Sequence, residues 1–420
     1  MFKAKKNMGR PRKPKKTEID ENNVFVTKLE KQVSNTPVTK VSSGRWVNWG
    51  SRNNYPTQLL NLYAESPTLK SCVSFAVTSI MGQGIDWKAM QLEGSQLIPN
   101  YRYSWNEFLR RISLDYMLFG SFSFQVIKNR DGRTYSFYHQ PIEQVRCSPK
   151  DDDGVITSYW ICPDWSAPSK YVPVEIDALE MRPDEEWKLR SGKPYLYVYN
   201  TYDPRVEYYS VPCWSSSIKA VQAECEMLNY DLKTCTNSFV PAGALQLPYM
   251  DTEEQKQAMI REINNMFVGT NNANSLLISF ANGSDDEPVK FTPFAASSEN
   301  VDLFNESDYR STARILESFC IPSRTLIGLQ ERNTGFSSQG ELLQTAFNLY
   351  QLLAGNHNRN VVVGVINECM KANGIETELV LKPLSFLGDE GDSEADAPDT
   401  QEAPEQGQDI TEDTIEEQES

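Results

Sequence analysis

The residues Val301–Tyr350 run VDLFNESDYRSTARILESFC, then IPSRTLIGLQERNTGFSSQG, then ELLQTAFNLY, and the rest of the chain is organised around them. Val301, Phe304, Ile315, Leu316 and Phe319 fall on overlapping three- and four-residue spacings, which marks an amphipathic helix. Pro322 lacks an N–H and clashes one turn back, so this helix ends near Cys320. After Gly340 a second helix carries Leu342, Leu343, Ala346, Phe347, Leu349, Tyr350 and Leu353, an apolar face wide enough to be buried. Between the two, Gln330, Glu331, Arg332, Asn333, Thr334, Gly335 and Ser337 have little to bury. A polar loop held between two anchored helices is either a connector or a working surface.

A partner for the first helix lies upstream. Ile218, Val221, Cys225, Leu228, Leu232, Cys235 and Phe239 recur at alternating spacings of three and four, an unbroken seam. At 1.5 Å per residue the helix from Ser215 to Phe239 spans roughly 36 Å. So narrow a seam requires another helix beside it. Pro241 and Gly243 end the element, and GALQLP, TEEQKQAMIREINNMF, SLLISF and VKFTPF then read as strand, helix, strand, strand. Two helices therefore bracket a small α/β insertion.

Order begins near Trp46. Short helices are expected after Pro56 and over Leu69–Ile80, the second stopped by Gly82 and Gly84. These two glycines follow a helical pattern and lack a third, so they do not form a dinucleotide fingerprint. SWNEFLRRISLDYMLFG puts Trp105, Phe108, Leu109, Ile112, Tyr116 and Phe119 on one face, with Ser104 and Glu107 in capping-box spacing. From residue 121 to 212 the pieces SFSFQVIK, RTYSFYHQ, SYWICP, KYVPVEI, PYLYVYN and VEYYSVP read as an antiparallel β region with aromatic core residues. The fold class is α+β.

The 420 residues allow two or three domains, although 39% apolar is low for one compact unit. Charge is segregated. Residues 1–16 hold eight Lys/Arg and no acid, 389–420 hold fourteen Asp/Glu and no base, and the formal total is −16. Removing +8 and −14 leaves −10 on residues 17–388, a body that repels a phosphate backbone. Residues 1–45 are read as a disordered arm and 389–420 as a disordered acidic tail. Within the arm, GRPRKPKK from Gly9 to Lys16 resembles the minor-groove-binding AT-hook, which makes Arg10, Arg12 and Lys13 candidate DNA contacts against the simpler reading of a solvated tail.

The composition also argues against several chemistries. The eight cysteines are scattered without a C-x-x-C pair, so neither a zinc ribbon nor a disulfide framework is indicated, and a reducing compartment fits best. The first sixteen residues lack the apolar core of a signal peptide, and runs such as SLLISFA and VVVGVI fall short of the ~18–20 residues of a membrane span. The expectation is a soluble chain without a membrane partner. His139 and His357 have no ligand spacing around them, and no phosphate-binding P-loop occurs. In GFSSQG the glycines are one residue too far apart for a nucleophile elbow. Asp151, Asp152 and Asp153 before Gly154 read as a turn rather than a cation site. No catalytic residue, metal or cofactor is assigned; a carboxylate-based hydrolase with its cleft in 121–212 and a DNA-binding architectural protein using the basic arm are the alternatives.

The order of these elements resembles the portal proteins of tailed bacteriophages. The likeness covers Trp46 to Asn373 and rests on the long helix SSSIKAVQAECEMLNYDLKTCTNSFV, the insertion after it, FCIPSRTLIGLQERNTGFSSQGELLQ, and WGSRNNYP. The resemblance implies a head-tail connector ring, usually of twelve subunits, at a capsid vertex. It conducts double-stranded DNA during packaging and ejection and docks terminase, an adaptor or head-completion protein and the major capsid protein. The resemblance also implies a location in the virion and, during assembly, in the host cytoplasm.

Carried onto this chain, residues 46–212 would form the wing, 213–240 and 299–320 two stem helices, and 241–298 the clip. Residues 321–339 would hold the tunnel loop, with Gln330, Glu331, Arg332, Asn333 and Thr334 toward DNA, and 340–388 the return through the wing and a short crown. The seam residues Ile218 to Phe239 would serve oligomerisation. Two departures stand out: the crown is short, and Glu331 beside Arg332 leaves the loop with almost no net charge.

Overall fold

The computed structural model describes residues 44–93, 97–181, 189–236, 243–247, 277–280, 290–293, 298–329 and 340–384, together with 37, 40–42, 187, 252 and 254–259. The expected amino-terminal helices are α1, Tyr55–Glu65, and α2, Pro67–Met81. Each has proline at its start, where a missing N–H costs nothing. The Ser66 hydroxyl caps α2 by accepting from the Leu69 amide. Helix α3, Trp105–Phe119, is capped by Ser104, which accepts from the Glu107 amide at 3.3 Å. Only this half of the expected capping box forms, because Glu107 pairs instead with Arg111 one turn on.

A small ladder of β1, Lys40–Ser42, on β2, Trp46–Asn48, precedes these helices. The main sheet has six strands: β3 Ser121–Lys128, β4 Tyr135–Gln140, β5 Val145–Cys147, β6 Ser158–Ile161, β7 Val174–Ala178 and β8 Pro194–Asn200, in the order β4-β3-β8-β7-β6-β5. Strand β3 lies between β4 and β8 and is covered by α3, with Phe108 in edge contact with Phe124 at 5.4 Å between ring centroids. Two expectations fail in this region. The sheet is mixed, because β7 runs parallel to β8 through Asp177 and Ala178. The residues 179–193 between them are long enough for a crossover, whereas an antiparallel return needs only a tight turn.

The second failure is the strand expected at 206–212, which is irregular. Its polar side chains pin the chain rather than extend the sheet. The Tyr209 ring stacks on Trp49 at 4.4 Å and its hydroxyl donates to the Val47 carbonyl, while the Ser210 hydroxyl donates to the Phe119 carbonyl at 2.8 Å.

Beyond the sheet, a 3₁₀ turn at Cys213–Ser217 leads into α4, Ile218–Thr236. The insertion contains β9, Gly243–Leu247, a helical segment at 254–259, β10, Leu277–Phe280, and β11, Lys290–Pro293. Strand β9 is central, parallel to β10 and antiparallel to β11. The return helix α5, Ser298–Ser318, packs along α4. It closes as expected before Pro322: the Ile321 amide reaches back to the Leu316 carbonyl while Cys320 adopts a φ of 56°. Helices α6, Gly340–Tyr350, and α7, Asn356–Ala372, are joined by a π-helical turn, Gln351–Gly355.

Val362, the next buried residue of α7, follows Tyr350 by twelve positions, where an uninterrupted α-helix repeats its face after about eleven. The π-turn absorbs the extra residue and keeps both side chains on the core. The chain then runs beside the end of α2. The Gln83 amide donates to the Lys382 carbonyl, and the Lys382 amide to the Gly84 carbonyl. No helix among the described residues is long and apolar enough to cross a membrane.

Candidate subunit interface

Along α4 the seam changes environment part-way. Ile218, Val221 and Cys225 are buried in the protein's own core, whereas Leu228 is 43% exposed and Leu232 62% exposed. Cys235 and Phe239 lie outside the residues whose side chains are described. On α5 the pattern matches: Ser311, Thr312, Ile315, Leu316 and Phe319 at the base are buried, while Glu306, Asp308 and Arg310 are exposed. The two helices are thus rooted in the body at one end and become exposed along Leu228–Leu232 of α4 and Glu306–Arg310 of α5. Lys219, at the root of α4, points to solvent.

The root is tied by polar bonds that span distant parts of the sequence. Glu224, 5% exposed, accepts from the Ser66 hydroxyl, from the Thr68 hydroxyl at 2.6 Å and from the Thr68 amide at 3.3 Å, so its carboxylate sits at the N-terminus of α2. The positive end of the helix dipole favours a carboxylate at this point. Ser217 and Ser318 hydroxyls meet at 2.9 Å, joining the bases of α4 and α5. Burial first, then the charges of Glu65 and Glu224, push the Cys225 thiol up to about 12, which leaves it an inert packing group. The seven described cysteines are all free.

Helix α6 departs from its expected burial. Phe347 and Tyr350 are buried and meet Phe75 of α2 in edge contacts, but Leu342 is 66%, Leu349 43% and Leu353 56% exposed. At about 100° per residue, Leu343, Phe347 and Tyr350 form one arc, and Leu342, Leu349 and Leu353 form a second one roughly 100° away. A single helix–helix contact covers one arc only. The apolar face is wide enough to be buried, yet the protomer buries half of it.

The groups considered for chemistry have structural partners. His139 Nε2 lies 2.9 Å from Asp115 Oδ2, with side chains 9% and 10% exposed, and the same carboxylate oxygen accepts the Ile142 amide at 3.2 Å. His357 is exposed, and lines a groove with Tyr116, Cys213 and Asn358. Asp151 accepts the Asp153 and Val155 amides, forming the expected turn. Among the described residues no three His, Cys, Asp or Glu side chains are grouped to hold a metal. Gln330, Glu331, Arg332, Asn333 and Thr334 of the loop, and Arg10, Arg12 and Lys13 of the arm, lie outside the described residues.

Sequence reasoning missed Glu224 and Arg146. Arg146, 1% exposed, donates to the Asn53 side chain, the Asn53 carbonyl and the carbonyls of Glu143 and Val145, and its guanidinium lies 4.9 Å from the Trp165 ring centroid. Burial pulls it down to about 10, so it stays charged at neutral pH. Local sequence carries no signal for either residue; each is defined by partners 93 or more positions away.

The architecture that emerges is α+β: a mixed six-stranded sheet under helices, a helix pair projecting from it, and a three-stranded insertion between the pair. No protein-family model matches the sequence, and no curated protein matches it. Solved structures do share the fold. A chain in the neck of a native gene transfer agent (GTA) particle, computed with C12 symmetry, aligns with a TM-score of 0.52 at 16% identity, covering 81% of this chain and 86% of that one. A chain in the neck of an empty GTA particle, computed with C6 symmetry, aligns with a TM-score of 0.50 at 14% identity, covering 78% and 84%.

Proposed function

We propose that this chain is a portal-type head-tail connector protein: copies of it close into a ring, of about twelve subunits by analogy, that forms a channel for double-stranded DNA at a capsid vertex. The observation that carries this reading is the fold shared, over four-fifths of its length, with a chain from a phage-like particle neck computed with C12 symmetry. The exposed outer half of the α4 seam supports it, with Leu228 43% and Leu232 62% exposed in the protomer.

On this reading residues 46–212 make the wing, α4 and α5 the stem, the insertion the clip, and 340–388 the return through the wing and a short crown. The tunnel loop within 321–339 would line the channel and meet DNA weakly. An acidic body suits a conduit, because a wall that bound each phosphate would stall the DNA. The ring has no chemistry of its own, resides in the virion after assembly in the host cytoplasm, and meets terminase, a head-completion protein and the capsid shell.

The paired substitution Leu228→Asp and Leu232→Asp tests the seam. Both side chains are exposed in the protomer, so the variant folds with an unchanged circular dichroism spectrum, but each charge must be buried on assembly. The expected outcome is loss of high-mass species in sedimentation velocity. Assembly equal to that of the unmodified chain would remove the α4 seam from the interface.

A further inference from the structure

The outward arc of α6 continues into the π-turn, where Leu352 is 78% exposed and Leu353 56% exposed. With Leu342 and Leu349 this leaves four leucines on the solvent side of the helix, presenting on the order of 400 Å². The largest apolar patches of ordinary monomers are of this size and commonly functional. The segment 342–355, LLQTAFNLYQLLAG, contains no charged residue, in a chain whose charged fraction is 23%. Thr345 and Asn348, also exposed, complete an uncharged surface.

The patch is held rigidly. Phe347 and Tyr350 fix the buried arc to Phe75 of α2, and Gln351 donates from Nε2 to the Ser79 hydroxyl at 2.7 Å. Arg359, beyond the turn, donates to the Ser79 carbonyl at 2.5 Å. Gly355 is buried within the turn and lets the Gln351 side chain lie close against the backbone. π-turns are rare and frequent at functional sites, and this one, besides keeping Tyr350 and Val362 on the core, presents two adjacent leucines to water.

We infer that Leu342, Leu349, Leu352 and Leu353 form a docking strip for a second copy of this chain, an intersubunit contact in the wing separate from the α4 seam. The inference rests on the ring reading. Three features favour a second copy. Depletion of charge with leucine retained is the composition of an interface core. The area is about half of the ~800 Å² per partner that a stable interface buries, so the strip serves as one part of a larger contact between copies. In a ring every subunit has a neighbour on both flanks, so each copy can present the strip to one of them. DNA and other strongly charged partners find no complementary group on the strip.

The test compares the full chain with a variant carrying Leu352→Gln and Leu353→Gln. Both positions are solvent-facing, so the melting temperature of the protomer stays unchanged and confirms folding. Mass distribution is measured for both proteins across a concentration series, and a photo-crosslinking amino acid at position 352 reports the neighbour directly. The expected results are at least a tenfold loss of assembly for the variant and crosslinked species at multiples of 47.8 kDa. If the unmodified chain assembles and the variant assembles equally well, the strip is overturned while the ring stands. A crosslink that stays within one chain also overturns it. An unmodified chain that remains a protomer at every concentration overturns both.

Discussion

Glu143 stands half-buried beside Asp115, with His139 and Arg146 close enough to act on it electrostatically. Burial first, and the Asp115 charge second, raise its carboxyl to about 7; His139 and Arg146 oppose the rise. A carboxyl raised on folding binds more protons in the folded than in the unfolded state. Its contribution is present below the unfolded value near 4.5 and is lost as pH rises through about 7. Glu143→Gln removes the titration. The variant should gain on the order of 1–3 kcal/mol relative to the unmodified chain between pH 5 and pH 8, read from denaturant unfolding at the two pH values. Parallel pH profiles would show that Glu143 is solvated. Such clusters are hidden from sequence because Asp115, His139 and Glu143 lie on a helix, a strand and a turn. Only the packing of α3 on the sheet brings them together.

At the scale of elements, the helix stop at Gly82 was legible from glycine alone, yet its main demand comes from elsewhere. Gly82 has φ 58° and ψ −141°, and a Cβ there would lie 2.0 Å from the Lys382 carbonyl oxygen. The backbone of residues 380–382, three hundred positions later, occupies the space. Gly82→Ala should therefore cost about 2–4 kcal/mol and increase amide exchange over residues 379–384. A fully protected carboxy-terminal segment in that variant would mean that the contact is dispensable. Element types were readable where periodicity was strong, as in α3, α4 and α5. They were misread where side chains serve other ends: residues 206–212 alternate like a strand but spend Tyr209 and Ser210 on pinning α3 and β2. The parallel pairing of β7 and β8 was not readable, because alternation reports a face and not a strand direction.

For the whole molecule, sequence pattern established that apolar helix faces must be covered but not by what. Leu228, Leu232, Leu342, Leu349 and Leu353 read the same as Ile218, Val221, Phe347 and Tyr350; only the structure separates those buried within the protomer from those left outside it. The ordered helix pair with its insertion was legible through spacing. The tie that fixes its angle on the body, Glu224 at the start of α2, was not, since it depends on Ser66 and Thr68 being brought across more than 150 positions. We propose that this protein is a subunit of a closed ring around a channel. Electron microscopy of the purified full-length chain tests that claim most directly: the expected images are closed rings of about twelve subunits with a central opening, and a field of single 47.8 kDa protomers at every concentration would contradict it.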